Sequence, residues 1–217
     1  CTGTAPAEPP QGAYALPLWR LEALGSAYCL EGPVITAGAA VEWLIRAGLL
    51  ESAERLDAVA GRARPGVLFV PALAGLGTPW MADGARGRFD GIGLETGPGE
   101  LVRGVVDGIA HRVVDLIEAL EVGDECAVDG GLARSDVLLQ RISDLSTRRI
   151  ARAAETETTA RGAAVLSAAA PGTRGDPLPA PEPARIFEPA DRAEATTAER
   201  DRWRMTLEQT IELAEIV

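Results

Sequence analysis

"AVDGGLARSD", residues 127–136, sets a short apolar lead-in against Asp129-Gly130-Gly131, and a helix-like run, Val137-Leu138-Leu139, follows closely. Two adjacent glycines where a strand hands over to a helix admit two readings. They can serve a tight turn, or they can let a ligand approach bare backbone without interference from Cβ. The start of the following helix adds N–H groups and the positive end of a dipole, which suit an anion. On this stretch alone both readings stand.

The surrounding chain alternates strand and helix patterns, which predicts an α/β fold. "LPLWRLEAL" (16–24) and "SAYCLEGPV" (26–34), separated by Gly25, read as two strands and a turn. Residues 38–50 read as a helix with Val41, Leu44, Ile45 and Leu49 on one side, and 52–63 as a weaker helix with Ser52 as N-cap. "GVLFVPAL" (66–73) is a buried-strand pattern that runs into a long glycine-rich loop, 74–88. The longest helix is predicted over 98–122, its apolar positions falling at 101, 105, 109, 113, 116, 117 and 120. Gly104 and Gly108 inside it either weaken it or permit a close approach. A strand at 125–128, a helix near 136–146, a strand at 148–153 and a small-residue helix at 158–170 follow. Residues 171–196 read as an extended, proline-rich connection, and 197–216 as a last helix with Trp203, Leu207, Ile211 and Ala214 on one face. No internal repeat or second folded unit is visible, so 1–217 is read as one domain.

Composition narrows the function. Of 217 residues, 47% are hydrophobic, enough for a proper core. A formal net charge of −11 disfavours a nucleic-acid partner but leaves room for a small phosphate held by backbone amides. All 21 basic residues are Arg, which removes a P-loop or Schiff-base lysine from consideration. Three widely spaced cysteines and one histidine make neither a metal pattern nor a disulfide framework, as suits a cytoplasmic protein. No apolar run is long enough to span a membrane, and no signal peptide is visible. The chain starts with Cys rather than Met, so it is expected to be processed, trimmed or a fragment.

Four patterns in order carry more than any one of them: "YCLEGPVITAGAAVEWL" (28–44), "FVPALAGLGTPWMADGARG" (69–87), "GRFDGIGLETGPGELVRGVVDGIA" (87–110) and "VDGGLARSDVLLQRISDL" (128–145), completed by "ETTARGAAVLSA". Together they resemble the C-terminal domain of the FGGY carbohydrate kinases, most closely the glycerol kinases among them, over nearly the whole chain from about residue 26. The resemblance implies an actin-like, ribonuclease-H-like ATPase domain, a mixed sheet flanked by helices. It implies ATP and Mg2+ as cofactors and a polyol or sugar as phosphoryl acceptor. Carried over by motif, Thr4 in "TGT" would contact phosphate, Gly38 would sit near the phosphates and Glu42 near the nucleotide. Gly130, Gly131 and Ser135 would lie near the α-phosphate and adenosine.

The chain departs from the family pattern at named places. Glu42 stands where a neutral Gln is usual, and a carboxylate there faces a triphosphate. Ser135 replaces a common Asn and reads equally as an N-cap. The family's catalytic aspartate lies in a Gly-Asp-Gln segment that no Asp of this chain matches, so the base and most polyol contacts are expected in a missing N-terminal domain. The expectation is therefore the nucleotide-binding half of an ATP-dependent polyol or sugar kinase, inactive alone. A non-catalytic interaction module and one subunit of a split kinase are the alternatives, and an exposed interdomain face would favour a homo-oligomer. His111 is read as a helix-surface or interdomain residue, and Trp43, Trp80 and Trp203 as core or interface anchors. The acidic stretch 188–201 is read as solvated surface, and Asp83 and Arg86 as turn residues or cleft residues with equal weight.

Overall fold

The computed structural model describes residues 1–21, 25–155, 157–168, 182–190 and 193–216, with backbone alone for 193–195. The expectations for 22–24, 169–170, 171–181 and 191–192 fall outside these residues. The long helix α3 (Pro98–Ala119) organises the rest. It begins where Pro98 presets the first turn and the Glu100 carboxylate accepts from the Gly97 amide at 3.1 Å.

Helix α3 crosses strand β3 (Leu68–Val70) closer than side chains would permit. A Cβ on Gly104 would lie 3.0 Å from the Val67 carbonyl oxygen, and one on Gly108 would lie 1.9 Å from that of Phe69. The two glycines therefore serve close approach rather than weakness. The burial that results runs around most of the helix, including Val102, Val105, Val106, Ile109, Ala110, Val114 and Ile117. That is wider than the stripe expected from the sequence; Leu101, Val113 and Leu116 are only partly buried.

Among the described residues the strands form three small sheets. β1 (Tyr14–Leu21) pairs antiparallel with β2 (Gly25–Glu31), and β3 pairs antiparallel with β4 (Arg88–Asp90), placing Phe69 opposite Phe89. β5 (Glu125–Val128) runs parallel to β6 (Arg149–Ala153), which pairs antiparallel with β7 (Pro183–Phe187). Among the described residues this last sheet is the mixed one. Residues 2 and 3 start a pairing with Tyr28, through Thr2 N to Tyr28 O at 2.8 Å and Tyr28 N to Gly3 O at 3.0 Å. Pro6, Pro9 and Pro10 then lack the donors that a longer ladder would need.

The helices are α1 (Ala37–Arg46), the short α2 (Leu56–Ala60), α4 (Asp136–Ser146), α5 (Thr158–Ala168) and α6 (Ala193–Glu215), in addition to α3. The helix expected over 52–63 is reduced to a 3-10 turn at Ala53–Arg55 and α2, and Ser52 makes no capping hydrogen bond. β7 lies inside the stretch read as an extended connection, and β4 lies at the end of the glycine-rich loop; neither was expected. α1, α2, α3 and α4 share one core, in which Trp43 stacks on Phe69 with centroids 5.8 Å apart. A second cluster joins α6 to β3 and the 74–88 loop through Trp203, Leu207, Leu68, Val70, Leu76 and Ala85, with Ile211 and Ala214 against it, as the predicted face of the last helix requires.

Between α3 and α6 lies a buried polar network. Asp115 accepts from Arg112 Nη1 at 2.9 Å, from Arg200 Nη2 at 2.7 Å and from Trp203 Nε1 at 3.1 Å; Arg112 Nη2 donates to Thr78 O at 2.7 Å. Trp80 Nε1 reaches Asp115 Oδ2 at 3.4 Å, so the glycine-rich loop is tied to the same carboxylate. His111 corrects the sequence reading: it is fully buried and stacks on Trp203 at 4.8 Å. Arg200 Nη1 can only donate, so His111 Nδ1, 3.1 Å away, accepts, which leaves the proton on Nε2 facing Glu199 Oε1 at 3.5 Å. Glu199 also pairs with Arg141, and Arg200 is buried, so the stretch read as solvated surface is in part an internal clamp.

Three outcomes are expected. Gly108→Ala should lower stability by about 2 kcal/mol or more through overpacking, and Gly104→Ala by less; denaturant titration reads both, and an unchanged midpoint for Gly108→Ala would contradict the close approach. Asp115→Ala should cost about 3–5 kcal/mol by stranding Arg112 and Arg200. Burial pushes the His111 imidazole below its ordinary 6.5, with Glu199 opposing and Arg200 assisting. Its contribution to stability is thus complete above 6.5 and is lost as pH falls toward the folded value. His111→Gln should flatten the fall of Tm just below that pH, whereas Glu199, whose carboxyl is held below 4.5, acts at lower pH.

Candidate functional site

A cleft of about 610 Å³ opens between the start of α1, the 53–57 turn and the segment joining β5 to α4. Its walls include Gly38 and Val41 from α1, Glu54, Leu56 and Asp57 from the turn and α2, and Gly131, Leu132, Arg134 and Ser135 from the third side. Residues more than ninety positions apart thus converge on one space.

The glycine pair divides into two roles. Gly130 has φ +85° and ψ −176°, a conformation open essentially to glycine, so the turn itself demands it. Gly131 begins the 3-10 turn Gly131–Arg134 at a negative φ, and a Cβ there would meet nothing within 4 Å. Gly38 is alike: negative φ, no neighbour within 4 Å of a Cβ, and a place on the same cleft. Neither backbone conformation nor packing requires glycine at 38 or 131. What they have in common is an open approach to the backbone from the cleft.

The two helix starts facing the cleft differ. α4 is closed: Ser135 Oγ accepts from Leu138 N at 3.1 Å, and Asp57 Oδ2 accepts from Asp136 N at 2.7 Å and from Val137 N at 3.4 Å. Ser135 Oγ also donates to Asp57 Oδ1. The helix end that the sequence offered to an anion is thus filled by the chain's own carboxylate, and Ser135 is the N-cap. α1 is open. Its N-cap residue Thr36 turns its hydroxyl to Pro71 O, no side chain caps the first turn, and no acidic residue stands in it. Ala40 N donates to Thr36 O at 3.1 Å, and the earlier amides of Ala37, Gly38 and Ala39 have no acceptor within the helix. Glu54 and Arg134 set the remaining charge: the Ser52 hydroxyl and Glu54's own amide hold the Glu54 carboxyl below its ordinary range, with the Arg134 charge adding to this.

Of the residues singled out from sequence, Gly38, Gly131 and Ser135 meet on this cleft. Gly130 adjoins it in the chain. Glu42 is exposed on α1 and is not part of the cleft lining, and Thr4 is exposed in the N-terminal segment, likewise apart from that lining. Asp57, Glu54 and Arg134 were missed. In "SAERLDAVAG" Asp57 looks like one more polar residue of a helix, and nothing local marks it as the cap of a helix nearly eighty residues away.

The model of the FGGY family of carbohydrate kinases, C-terminal domain, matches residues 13–170. The chain belongs to this family. The glycerol kinase of Allorhizobium ampelinum is 39% identical over 198 residues, covering 85% of this chain and 40% of the relative. That of Myxococcus xanthus is 34% identical over 221 residues, covering 96% of this chain and 44% of its own length. Among solved structures, Plasmodium falciparum glycerol kinase with ADP superimposes with a TM-score of 0.80 at 23% identity, over 96% of this chain and 44% of that one. A xylulose kinase from Lactobacillus acidophilus gives 0.79 at 22% identity, over 97% and 44%. These structures establish the fold, the actin-like one that the motifs implied. The chain spans less than half the length of these relatives. Among the described residues no helix is long and apolar enough to cross a membrane.

Stability separates the two glycines. Gly130→Ala should cost about 1–3 kcal/mol, because its backbone is confined to glycine's region. Gly131→Ala should stay within about 0.5 kcal/mol of the natural chain, because nothing crowds or strains it. Equal losses in thermal unfolding would contradict the division of roles.

Proposed function

We propose that this domain is the nucleotide-binding half of an ATP-dependent polyol kinase, glycerol being the favoured acceptor. The observation that carries the reading is the pair Gly38 and Gly131, unexplained by fold and open to one cleft beside an uncapped helix start. The family and the ADP named with the Plasmodium falciparum relative support it. The cleft suits the nucleotide: about 610 Å³ holds a molecule of that size, with apolar Val41, Leu56 and Leu132 for a base and exposed amides for phosphate.

ATP supplies the phosphoryl group that is transferred to a primary hydroxyl. In this proposal the chain's own residues bind and orient. The α1 amides near Gly38 receive the phosphates, Gly131 admits the nucleotide close to backbone, and Gly130 shapes the turn that presents it. Thr4 and Glu42 remain proposed phosphate and nucleotide contacts that would need a closed arrangement to reach the ligand. Mg2+ is proposed as a companion of the ATP phosphates, held chiefly by them and by water; among the described residues no group of three or more His, Cys, Asp or Glu is placed to hold a metal. The base for the acceptor hydroxyl is assigned to a second domain, as the family resemblance implies, and the two would act by closing on the nucleotide.

Calorimetric titration of ATP-Mg into this chain tests the reading. Binding is expected to be weak, in the high micromolar to millimolar range typical of half a site, and to fall at least about tenfold in Gly131→Val. No heat at millimolar ATP, or identical binding in Gly131→Val, would contradict it. Adding a family N-terminal domain and assaying phosphorylation of glycerol then tests the acceptor.

A further inference from the structure

The 74–88 loop and the end of α6 enclose a groove of about 370 Å³ that shares no residue with the nucleotide cleft. Gly84 brings the loop against the helix, since a Cβ there would lie 3.3 Å from the Ala214 carbonyl oxygen. Arg86 and Arg88 stand on one wall, and Thr210, Leu213 and Ala214 on the other. Phe89, the next residue of β4, turns instead into the core against Phe69, with centroids 4.4 Å apart.

The charge on this groove has one sign, in a chain whose net charge is −11. No carboxylate lines it, and among the described residues neither guanidinium has one within 4.0 Å. The acids nearest in sequence lie elsewhere: Asp90 pairs with Arg202 at 2.8 Å, and Asp83, Glu208 and Glu212 are no part of the lining. The carbonyl end of α6 opposes with roughly half a charge against two full positive ones. The donors are also underused. Arg86 Nη1 donates to Asp83 O at 2.9 Å and to Ala85 O at 2.8 Å, while its Nε and Nη2 have no partner. Arg88 makes one hydrogen bond, from Nη2 to Gln209 Oε1 at 3.3 Å, and its Nη1 is enclosed without an acceptor. Such an orphaned donor is costly, and a side chain held by one long bond can turn to meet a ligand oxygen. Capping of the helix end does not account for the pair, because among the described residues neither arginine donates to a carbonyl of α6.

We propose that this groove binds a phosphate group, with Arg86 and Arg88 as its ligands. A phosphate dianion balances the two guanidiniums, and its oxygens suit the forked N–H geometry of arginine. An ester group on that phosphate would lie along Leu213, which is 55% exposed, and Ala214. The bound anion would join the 74–88 loop to α6. The site is independent of the nucleotide reading, since no residue is common to both.

Inorganic phosphate and phenyl phosphate are titrated into the natural chain and followed by amide-resolved NMR. Shifts are expected at Gly84, Gly87, Arg88 and Leu213, saturating at about millimolar concentration or below. The double variant Arg86→Gln, Arg88→Gln should weaken this binding by at least about tenfold, with Tm recorded to show that it folds. Where the double variant does not fold, Arg86→Gln alone decides, because Arg86 is exposed, and it should weaken binding by about threefold or more. Phenyl phosphate binding at least about threefold tighter than inorganic phosphate identifies a phosphorylated metabolite as the occupant, and equal affinities identify free phosphate. Shifts confined to Gly38 and Gly131, no saturation by about 20 mM, or unchanged binding in the variants overturns the inference.

Discussion

The structure depends on the contact of a helix with bare strand backbone. With Gly108 where a Cβ would come within 1.9 Å of the Phe69 carbonyl, α3 lies directly on β3. That closeness lets one helix be shared. One side packs with α1, α2 and α4 in the main core, and the other meets α6 and the glycine-rich loop through Asp115. The cleft is a consequence, because its three walls are elements or extensions of elements seated on α3. A side chain at Gly108, which is no part of the cleft lining, would push α3 off the strand and so disturb the walls seated on it.

The same helix explains why a chain rich in charge can be buried so deeply. Asp107, Asp115, Arg112 and Arg200 are all nearly inaccessible, yet each has an opposite charge within 3.0 Å. Replacing such pairs with apolar residues could leave stability unchanged. What the pairs add is register. Arg200 donates to the His111 carbonyl, to Asp115 and to Glu118, so one side chain of α6 engages three positions along α3.

Much of this was legible in the sequence and some was not, for physical reasons. The strand-glycine-helix order at 125–146 is local, and it was read correctly from local pattern. The apolar face of α6 follows helical spacing, and Trp203 and Leu207 are buried as that spacing requires. Gly104 and Gly108 announced a close approach without naming its partner. Three kinds of feature escaped. β4 and β7 owe their existence to partners, Phe69 for one and Ile150 for the other, and each sits in sequence that reads as loop. His111 looked like a surface residue because its partners Arg200 and Glu199 lie nearly ninety residues away. At the cleft, the family motifs pointed to Gly38, Gly131 and Ser135, but only geometry showed that Asp57 closes α4 while Thr36, turned toward Pro71, leaves α1 open. Of the two helix starts, the one left uncapped is that of α1, beside the Gly38 that the family resemblance had already set near the phosphates.

Amide-resolved NMR during an ATP titration tests that account most directly. Shifts concentrated at Ala37, Gly38, Ala39 and Gly131, with the amides of Asp136 and Val137 little changed because Asp57 already holds them, would match it. Shifts led by Asp136 and Val137, with the first turn of α1 silent, would contradict it and return the phosphates to α4.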